Sequence, residues 1–320
     1  MPTVPEGPPP ELSVVVPLYN EQETIPELHR RTSTVLCELG ITYELIYVDD
    51  GSRDLTPALL DAYQQADSHV VVLHLSRNFG HQAAICAGID EACGQAVLVM
   101  DGDLQDPPEA IPDFLRLWRE GNDVVFAVRR DRKESAWLKF CYHVFYRLLS
   151  AISEFDVPLD SGDFGLMDRK VVEALKELPE RRRFVRGLRT FVGFRQIGLD
   201  CERAARQAGR PKYTFRGLVR LAVDGLVSFS SYPLRLVTYL GILTACLALV
   251  LLIWALVDAI SRHTAPPGWA SLIVVVLLMG SVQLISLGII GEYIRLIFLE
   301  TKGRPTYIID ERRPGHPPGP

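Results

Sequence analysis

The run Val97-Leu98-Val99-Met100-Asp101-Gly102-Asp103-Leu104-Gln105-Asp106-Pro107-Pro108 decides how this chain reads. Four apolar residues stop abruptly at two aspartates separated by a glycine. A short, uninterrupted apolar run is how a strand buried on both faces of a parallel sheet reads. Ligands of open α/β sheets sit beyond the carboxyl ends of such strands. Asp101 and Asp103 are therefore expected at a site mouth, and Gly102 lets the backbone turn and approach a ligand closely. Gln105 adds a neutral oxygen two residues on. Oxygen-only donors suit a hard divalent cation, Mg2+ or Mn2+, that shares its shell with substrate phosphates. The same residues also read as a strand end running into an acidic turn closed by Pro107 and Pro108, and spacing alone does not separate the two readings.

Working outward, strands and helices alternate. Apolar strands are expected at Leu12–Pro17, Tyr43–Val48, Val70–Leu75 and Val124–Val128. Asn20 followed by Glu23 is a helix-start signature, and Gly40 is placed to end that helix. Asp54 can cap the next helix. Ile111, Phe114, Leu115 and Trp118 recur at helical spacing and make one apolar face. This alternation predicts an α/β domain with a mostly parallel, doubly wound sheet. Carboxylates recur at strand ends, Asp49 and Asp50 first, then Asp101 and Asp103. No G-x-G-x-x-G opens the first helix and no G-x-x-x-x-G-K-[ST] is present, which disfavours a dehydrogenase-type dinucleotide fold and a P-loop enzyme.

Four ordered motifs carry a resemblance: P-L-Y-N-E (17–21), Y-V-D-D-G-S-x-D-x-T (47–56), S-R-N-F-G-H-Q-A-A (76–84) and M-D-G-D-L-Q-D-P-P-E (100–109). Together they resemble the inverting family 2 glycosyltransferases of GT-A fold. More narrowly, they resemble the polyprenyl-phosphate glycosyltransferases, relatives of dolichol-phosphate mannose synthase and of bacterial undecaprenyl-phosphate glucosyltransferases, over about Leu12 to Ile309. The resemblance implies that Pro17, Tyr19 and Glu21 line a nucleotide pocket, and that Asp49 holds the base or ribose with Ser52 nearby. It also implies that Asp101, Asp103 and Gln105 hold Mg2+ or Mn2+ on the donor diphosphate. Core packing for Tyr19, and a turn or helix cap for Asp50 and Ser52, are the plainer readings.

Beyond the fifth strand, Arg129, Arg130, Arg132 and Lys133 cluster, and Arg129 at the strand end is the candidate phosphate ligand; a solvated basic loop is the alternative. Residues 135–149 interleave Trp137, Phe140, Tyr142, Phe145 and Tyr146 with basic residues, as a helix in a membrane interface or as a lid would. His143 there reads as an interfacial histidine. In D-S-G-D-F-G-L-M-D-R (160–169), the resemblance maps the aspartate that faces the acceptor phosphate to Asp163. Enzymes of that kind often carry a basic residue after G-D-F. This chain has Gly165 there, and Arg169 is the nearest substitute. Residues 180–220 are arginine-rich. They read either as a solvated face drawn to anionic headgroups or as a lipid-phosphate cradle of forked guanidiniums. The resemblance favours Arg203, Arg206 and Lys212 for the cradle.

Val237–Val257 and Ala270–Ile290 are uncharged runs of 21 residues each. At about 1.5 Å per residue, either spans a hydrocarbon core of about 30 Å. Basic residues flank the pair (Arg216, Arg220 and Arg235 before, Arg295, Lys302 and Arg304 after), which places both flanks and both termini in the cytoplasm and the connector outside. Trp254 and Trp269 fit an interfacial belt, and Gln283 a hydrogen bond between the two spans. The expected organisation is an N-terminal tail (1–11), a catalytic domain (12–212), a juxtamembrane amphipathic helix (213–236), a first span (237–257), an external loop (258–269), a second span (270–290) and a cytoplasmic tail (291–320). Six scattered cysteines without a C-x-x-C pair read as reduced thiols, and the N-terminus does not read as a signal peptide. A net charge of −5 does not suggest nucleic-acid binding.

The expected activity is inverting transfer of a sugar from a nucleotide sugar, UDP-linked in preference to GDP-mannose, to a polyprenyl phosphate at the cytoplasmic membrane face. A processive polysaccharide synthase is disfavoured because Q-x-x-R-W and additional spans are missing. A catalytically inactive lipid- or nucleotide-binding scaffold is disfavoured by the intact D-G-D-L-Q. The two spans could also support a homo-oligomer.

Overall fold

The computed structural model describes residues 8–129, 161–180, 183–201, scattered helical positions between 237 and 257, and 268–310. The chain forms two compact units: one holds 1–146, 155–211 and 304–320, the other 147–154 and 212–303.

The first unit is built on a seven-stranded sheet. Its leading half follows the sequence pattern: β1 (Leu12–Leu18), α1 (Ile25–Leu39), β2 (Tyr43–Asp49), α2 (Thr56–Ala66), β3 (Val70–His74), α3 (His81–Glu91), β4 (Ala96–Val99), α4 (Ile111–Arg119) and β5 (Val124–Arg129). Every residue of β1 and β4 is buried, as strands covered by helices on both faces must be. β1 pairs in parallel with β2 and β4, and β2 in parallel with β3, so the loops after β1, β2 and β4 gather at one end of the sheet. Gly40 ends α1 in the left-handed conformation (φ 64°), and its N–H bonds back to Cys37.

Asn20 does not start a helix. It sits at φ 54°, and its side-chain oxygen accepts the Arg53 N–H at 2.9 Å, while α1 begins at Ile25. The residue clips the loop after β1 to the loop after β2.

The second half departs from the expected parallel order. β6 (Ser161–Asp168) lies antiparallel between β4 and β5, giving the order β3-β2-β1-β4-β6-β5-β7, and β7 (Gln196–Cys201) is parallel to β5. Helices α5 (Arg169–Glu177) and α6 (Val185–Phe191) follow β6. Two buried clusters cover the two faces of the sheet. One holds Phe114, Phe164 and Leu166, and the other holds Ile85, Met167, Val171 and Leu188.

Residues 304–310 return to the sheet of this unit. Ile309 bridges Leu75, the Ser76 N–H donates to the Ile308 carbonyl (2.8 Å) and the Asp310 N–H to the His74 carbonyl (2.7 Å). The segment therefore covers β3, an edge of the sheet, where backbone groups would otherwise lack partners.

In the second unit, α7 runs unbroken from Trp269 to Thr301, 33 residues. The helix passes the expected end of the second span at Ile290 by three turns, and Arg295 pairs with Glu292 in that extension. Leu278–Thr301 is long and apolar enough to cross a membrane by length and composition. Described helical positions between 237 and 257 carry exposed apolar side chains, among them Ile242, Leu243 and Val250. Exposed apolar side chains in this number mark a surface made for lipid or protein rather than water.

Helix α3 crosses the sheet where Gly88 leaves no room for a side chain: a Cβ there would stand 2.2 Å from Val15 Cγ1 and 3.1 Å from Val48 Cγ2. Both valines are buried. Gly88→Ala is therefore expected to cost about 1–3 kcal/mol by overpacking, read as a lowered melting temperature of the purified protein in detergent.

Candidate active site

The D-G-D turn is formed by close backbone packing. A Cβ at residue 102 would meet Leu18 Cδ2 at 2.3 Å, so only glycine lets the turn lie against the end of β1. Leu104 is held at φ 60° with its side chain buried (2% exposed) in the core. A left-handed leucine is costly, and such strain persists only where surrounding packing dictates it. Burial of Gly102, Leu104 and Asp106 alternates with partial exposure of Asp101, Asp103 and Gln105. Buried Asp106 accepts the Asp101 N–H (3.1 Å), and Asp103 accepts the Gln105 N–H (3.1 Å). Gln105 thus enters the turn through its backbone.

Among the described residues, no group of three or more His, Cys, Asp or Glu side chains is arranged to hold a metal ion by itself. Asp101 and Asp103 supply two hard carboxylates. That donor set suits Mg2+ or Mn2+, whose shell is normally completed by water and substrate phosphate oxygens.

Loops after β1 and β2 are joined by hydrogen bonds. Asn20 N–H donates to Ser52 Oγ (2.9 Å), Glu21 N–H to Thr56 Oγ1 (3.0 Å) and Leu55 N–H to Gln22 Oε1 (3.0 Å). Pro17 is buried, whereas Tyr19 and Glu21 are partly exposed.

Asp49 turns inward. Fully buried, it accepts the Ser52 N–H (2.9 Å) and faces His74 Nδ1 (3.0 Å), whose Nε2 faces Asp61 (2.9 Å). The Asp49 carboxylate shapes the loop that carries Ser52. Burial would raise the Asp49 carboxyl, but the hydrogen bonds from His74 and Ser52 outweigh it and lower it. Burial likewise opposes charge on His74, and its two carboxylate partners prevail and raise it. Asp50 accepts the Phe79 and Gly80 N–H groups at 2.7 and 2.9 Å, which fixes the turn before α3.

That turn delivers His81, the first residue of α3. Its Nε2 lies 3.5 Å from Asp101 Oδ1 and 3.5 Å from Asp163 Oδ2. The insertion of β6 beside β4 is what brings Asp163 to the D-G-D turn. Gln82 completes the support: its Oε1 accepts the Val185 N–H (3.1 Å), which turns its NH2 toward Asp163 Oδ2 (3.2 Å). Arg186 Nη2 also reaches Asp163 Oδ2 at 3.2 Å. Burial pushes the Asp163 carboxyl up, yet the His81 hydrogen bond and the charges of Arg186 and His81 hold it well below the usual carboxylate range.

Arg169 does not stand in for the missing basic residue at 165. Its guanidinium bonds the Gly94 carbonyl and pairs with Glu173, at the far end of β6. The guanidinium that stands against Gly165 is that of Arg189, which is 3% exposed and lies 5.1 Å over the Phe126 ring. Burial pushes its pKa down to about 10.

Arg183 is engaged with Asp90 and with the carbonyls of Lys176 and Leu178. Arg129 ends β5. Its side chain, and Arg203, Arg206, Lys212, His143 and helix 135–149, lie outside the described residues. Sequence reasoning gave no individual role to His74, His81, Gln82, Asp106, Arg186 or Arg189. The signals were that N-F-G-H-Q and Asp106 lay within quoted motifs and that Arg186 and Arg189 lay within the arginine-rich stretch 180–220.

Strand ends bearing acidic loops, a two-carboxylate turn and a third carboxylate facing it define a sugar-nucleotide transferase type of site. The comparisons agree: the model described as glycosyl transferase family 2 matches residues 13–176, and that of a GtrB C-terminal hairpin matches 232–297. The chain belongs to glycosyl transferase family 2. It is 45% identical to an uncharacterized glycosyltransferase of Synechocystis over 94% of this chain and 95% of that one. It is 39% identical to a prophage-derived bactoprenol glucosyl transferase of Shigella flexneri, over 96% of this chain and 100% of that one. It is also similar to glucosyl-3-phosphoglycerate synthase of Mycobacterium tuberculosis, crystallised with Mn2+, UDP-glucose and phosphoglyceric acid (TM-score 0.49, 22% identity, 68% and 79% coverage).

The His74 pairing makes a pH prediction. An imidazole whose pKa is raised by folding contributes fully below its unfolded value of about 6.5 and loses that contribution as pH rises through the folded value. Melting curves of wild type and His74→Gln should therefore lie furthest apart below about pH 6.5 and draw together as pH rises above it. A gap that does not narrow over that range contradicts a charged His74.

Proposed function

We propose that the protein transfers a sugar from a nucleoside diphosphate to a polyprenyl phosphate, with inversion, at the cytoplasmic face of a membrane. The observation that carries this reading is the convergence of Asp163, His81 and Asp101 at the carboxyl end of β4. The bactoprenol glucosyl transferases among its relatives support a lipid-phosphate acceptor and glucose as the sugar, and with glucose a UDP donor. The hairpin family match and the apolar helix support anchoring in the membrane that holds such an acceptor. The basic flanks support a catalytic unit on the cytoplasmic side.

Asp101 and Asp103 would hold Mg2+ or Mn2+, which would neutralise charge on the leaving diphosphate. Tyr19, Glu21 and Ser52 border the nucleotide pocket, with Asp49 and His74 positioning Ser52 from beneath. Arg129, Arg203, Arg206 and Lys212 are assigned to the phosphates on the strength of sequence alone. In the transfer, a phosphate oxygen of the acceptor bonds the anomeric carbon as the bond from that carbon to the diphosphate oxygen breaks.

A carboxylate as strongly stabilised in its charged form as Asp163 is a feeble base. The nucleophile does not need a strong one. A phosphate monoester has a second pKa of about 6 and is already largely dianionic at neutral pH. Asp163 therefore works by orienting His81 and Arg186 and by setting the field in which the acceptor sits.

Purified protein in detergent, given labelled UDP-sugars, polyprenyl phosphate and Mn2+ or Mg2+, should form one lipid-linked sugar, and chelator should abolish it. Asp103→Ala should be inactive, whereas Asp163→Asn should retain measurable turnover. Complete loss in Asp163→Asn with donor and acceptor binding intact would show that Asp163 is an obligatory base and overturn the assignment.

A further inference from the structure

Helix α6 places Arg186 and Arg189 three residues apart, on one face. Arg186 is satisfied only in part: Nη2 reaches Asp163, while buried Nε has no partner among the described residues. Arg189 is less satisfied. Its Nε and Nη2 are buried and have no hydrogen-bond partner among the described residues. Partly exposed Arg186, buried Arg189 and His81 thus surround one carboxylate whose second oxygen, Asp163 Oδ1, is itself buried and unbonded among the described residues. Leaving a guanidinium in such surroundings is costly unless an anion completes it.

The position of Arg189 is enforced. Asp163 and Gly165 point to the same face of β6, since side chains alternate along a strand. A Cβ at 165 would stand 2.9 Å from Arg189 Nη1, so the glycine makes the space that the guanidinium occupies. The Phe126 ring covers the guanidinium, and such stacking suits Arg and not Lys. Gln82, through Val185, fixes the start of α6. The donors are therefore held in place before any ligand arrives.

We infer that Arg186 and Arg189 form a phosphate-binding subsite beside Asp163, which takes a phosphoryl group of one of the two substrates. A tetrahedral oxyanion offers several acceptor oxygens to the unfilled guanidinium donors, and forked donors suit it. On the glycosyl-transfer reading, on which this inference rests, the acceptor's phosphate is the group that must lie next to Asp163. The donor's diphosphate is the other source of the same chemistry.

The test uses the full-length protein in detergent. Arg189→Gln is expected to raise the KM for polyprenyl phosphate at least tenfold while leaving the Kd for UDP with Mn2+ within twofold. Inorganic phosphate should compete with the acceptor in wild type and do so at least tenfold more weakly in the variant. A weakened Kd for UDP with unchanged acceptor KM supports the subsite and assigns it to the donor diphosphate. Acceptor KM, UDP Kd and phosphate competition all within twofold of wild type, in a variant that melts normally, would overturn the subsite. Should Arg189→Gln fail to fold, the same constants are read in Arg186→Gln, whose side chain is 27% exposed and so less buried than that of Arg189, with the same criteria. If wild type transfers no sugar from any donor, the glycosyl-transfer reading fails on its own. The subsite is then judged by whether inorganic phosphate raises the melting temperature of wild type and not of the arginine variants.

Discussion

Asp163 is the single negative charge around which three elements are fastened. β6 supplies it, the first turn of α3 brings His81 and Gln82 to it, and α6 brings Arg186. Hydrogen bonds to charged groups are worth about 1.5–3 kcal/mol each when satisfied, and a buried carboxylate stripped of them costs more than that. The cluster therefore works as a structural lock within the candidate site. Remove the antiparallel insertion of β6 between β4 and β5 and the lock has no keystone, because Asp163 is carried on that strand.

The leading half of the fold was legible because parallel strands declare themselves in one dimension. V-V-V, L-I-Y-V and V-L-V are buried on both faces, and their helices carry regular apolar spacing. β6 was not legible. G-D-F-G-L-M-D contains two glycines and two aspartates, and its strand character comes from neighbours on both sides: Phe164 and Leu166 pack on one face and Met167 on the other. At the site, Asp101, Asp103 and Asp163 could be chosen from motif and resemblance. The direction in which a carboxylate points could not. Asp49 ends an apolar strand just as Asp101 follows one, but His74, 25 residues away, draws it into the interior. On paper Arg169, the nearer in sequence, was the replacement for a base at 165, and Arg189 was not singled out. Only the run of β6 decides between them, since it carries Arg169 away to Gly94 and brings α6 back over Gly165.

Placing cations around an ionised carboxylate also bears on the chemistry. An enzyme that must deprotonate a hydroxyl wants a carboxylate with a raised pKa, held in apolar surroundings. Asp163 has the reverse environment. That environment suits a nucleophile that arrives already charged and must be held against its own repulsion from a diphosphate leaving group. Two anionic phosphorus groups have to meet at one anomeric carbon. The protein meets that demand with a divided electrostatic arrangement: carboxylates on the D-G-D turn suited to a metal on one side, and guanidiniums rooted in α6 on the other. Gly165 is what keeps those sides distinct. A larger residue there would push the Arg189 guanidinium away from Asp163, and the positive charge assembled for the incoming phosphate would lose the rigid backing that makes it selective for an anion at that place.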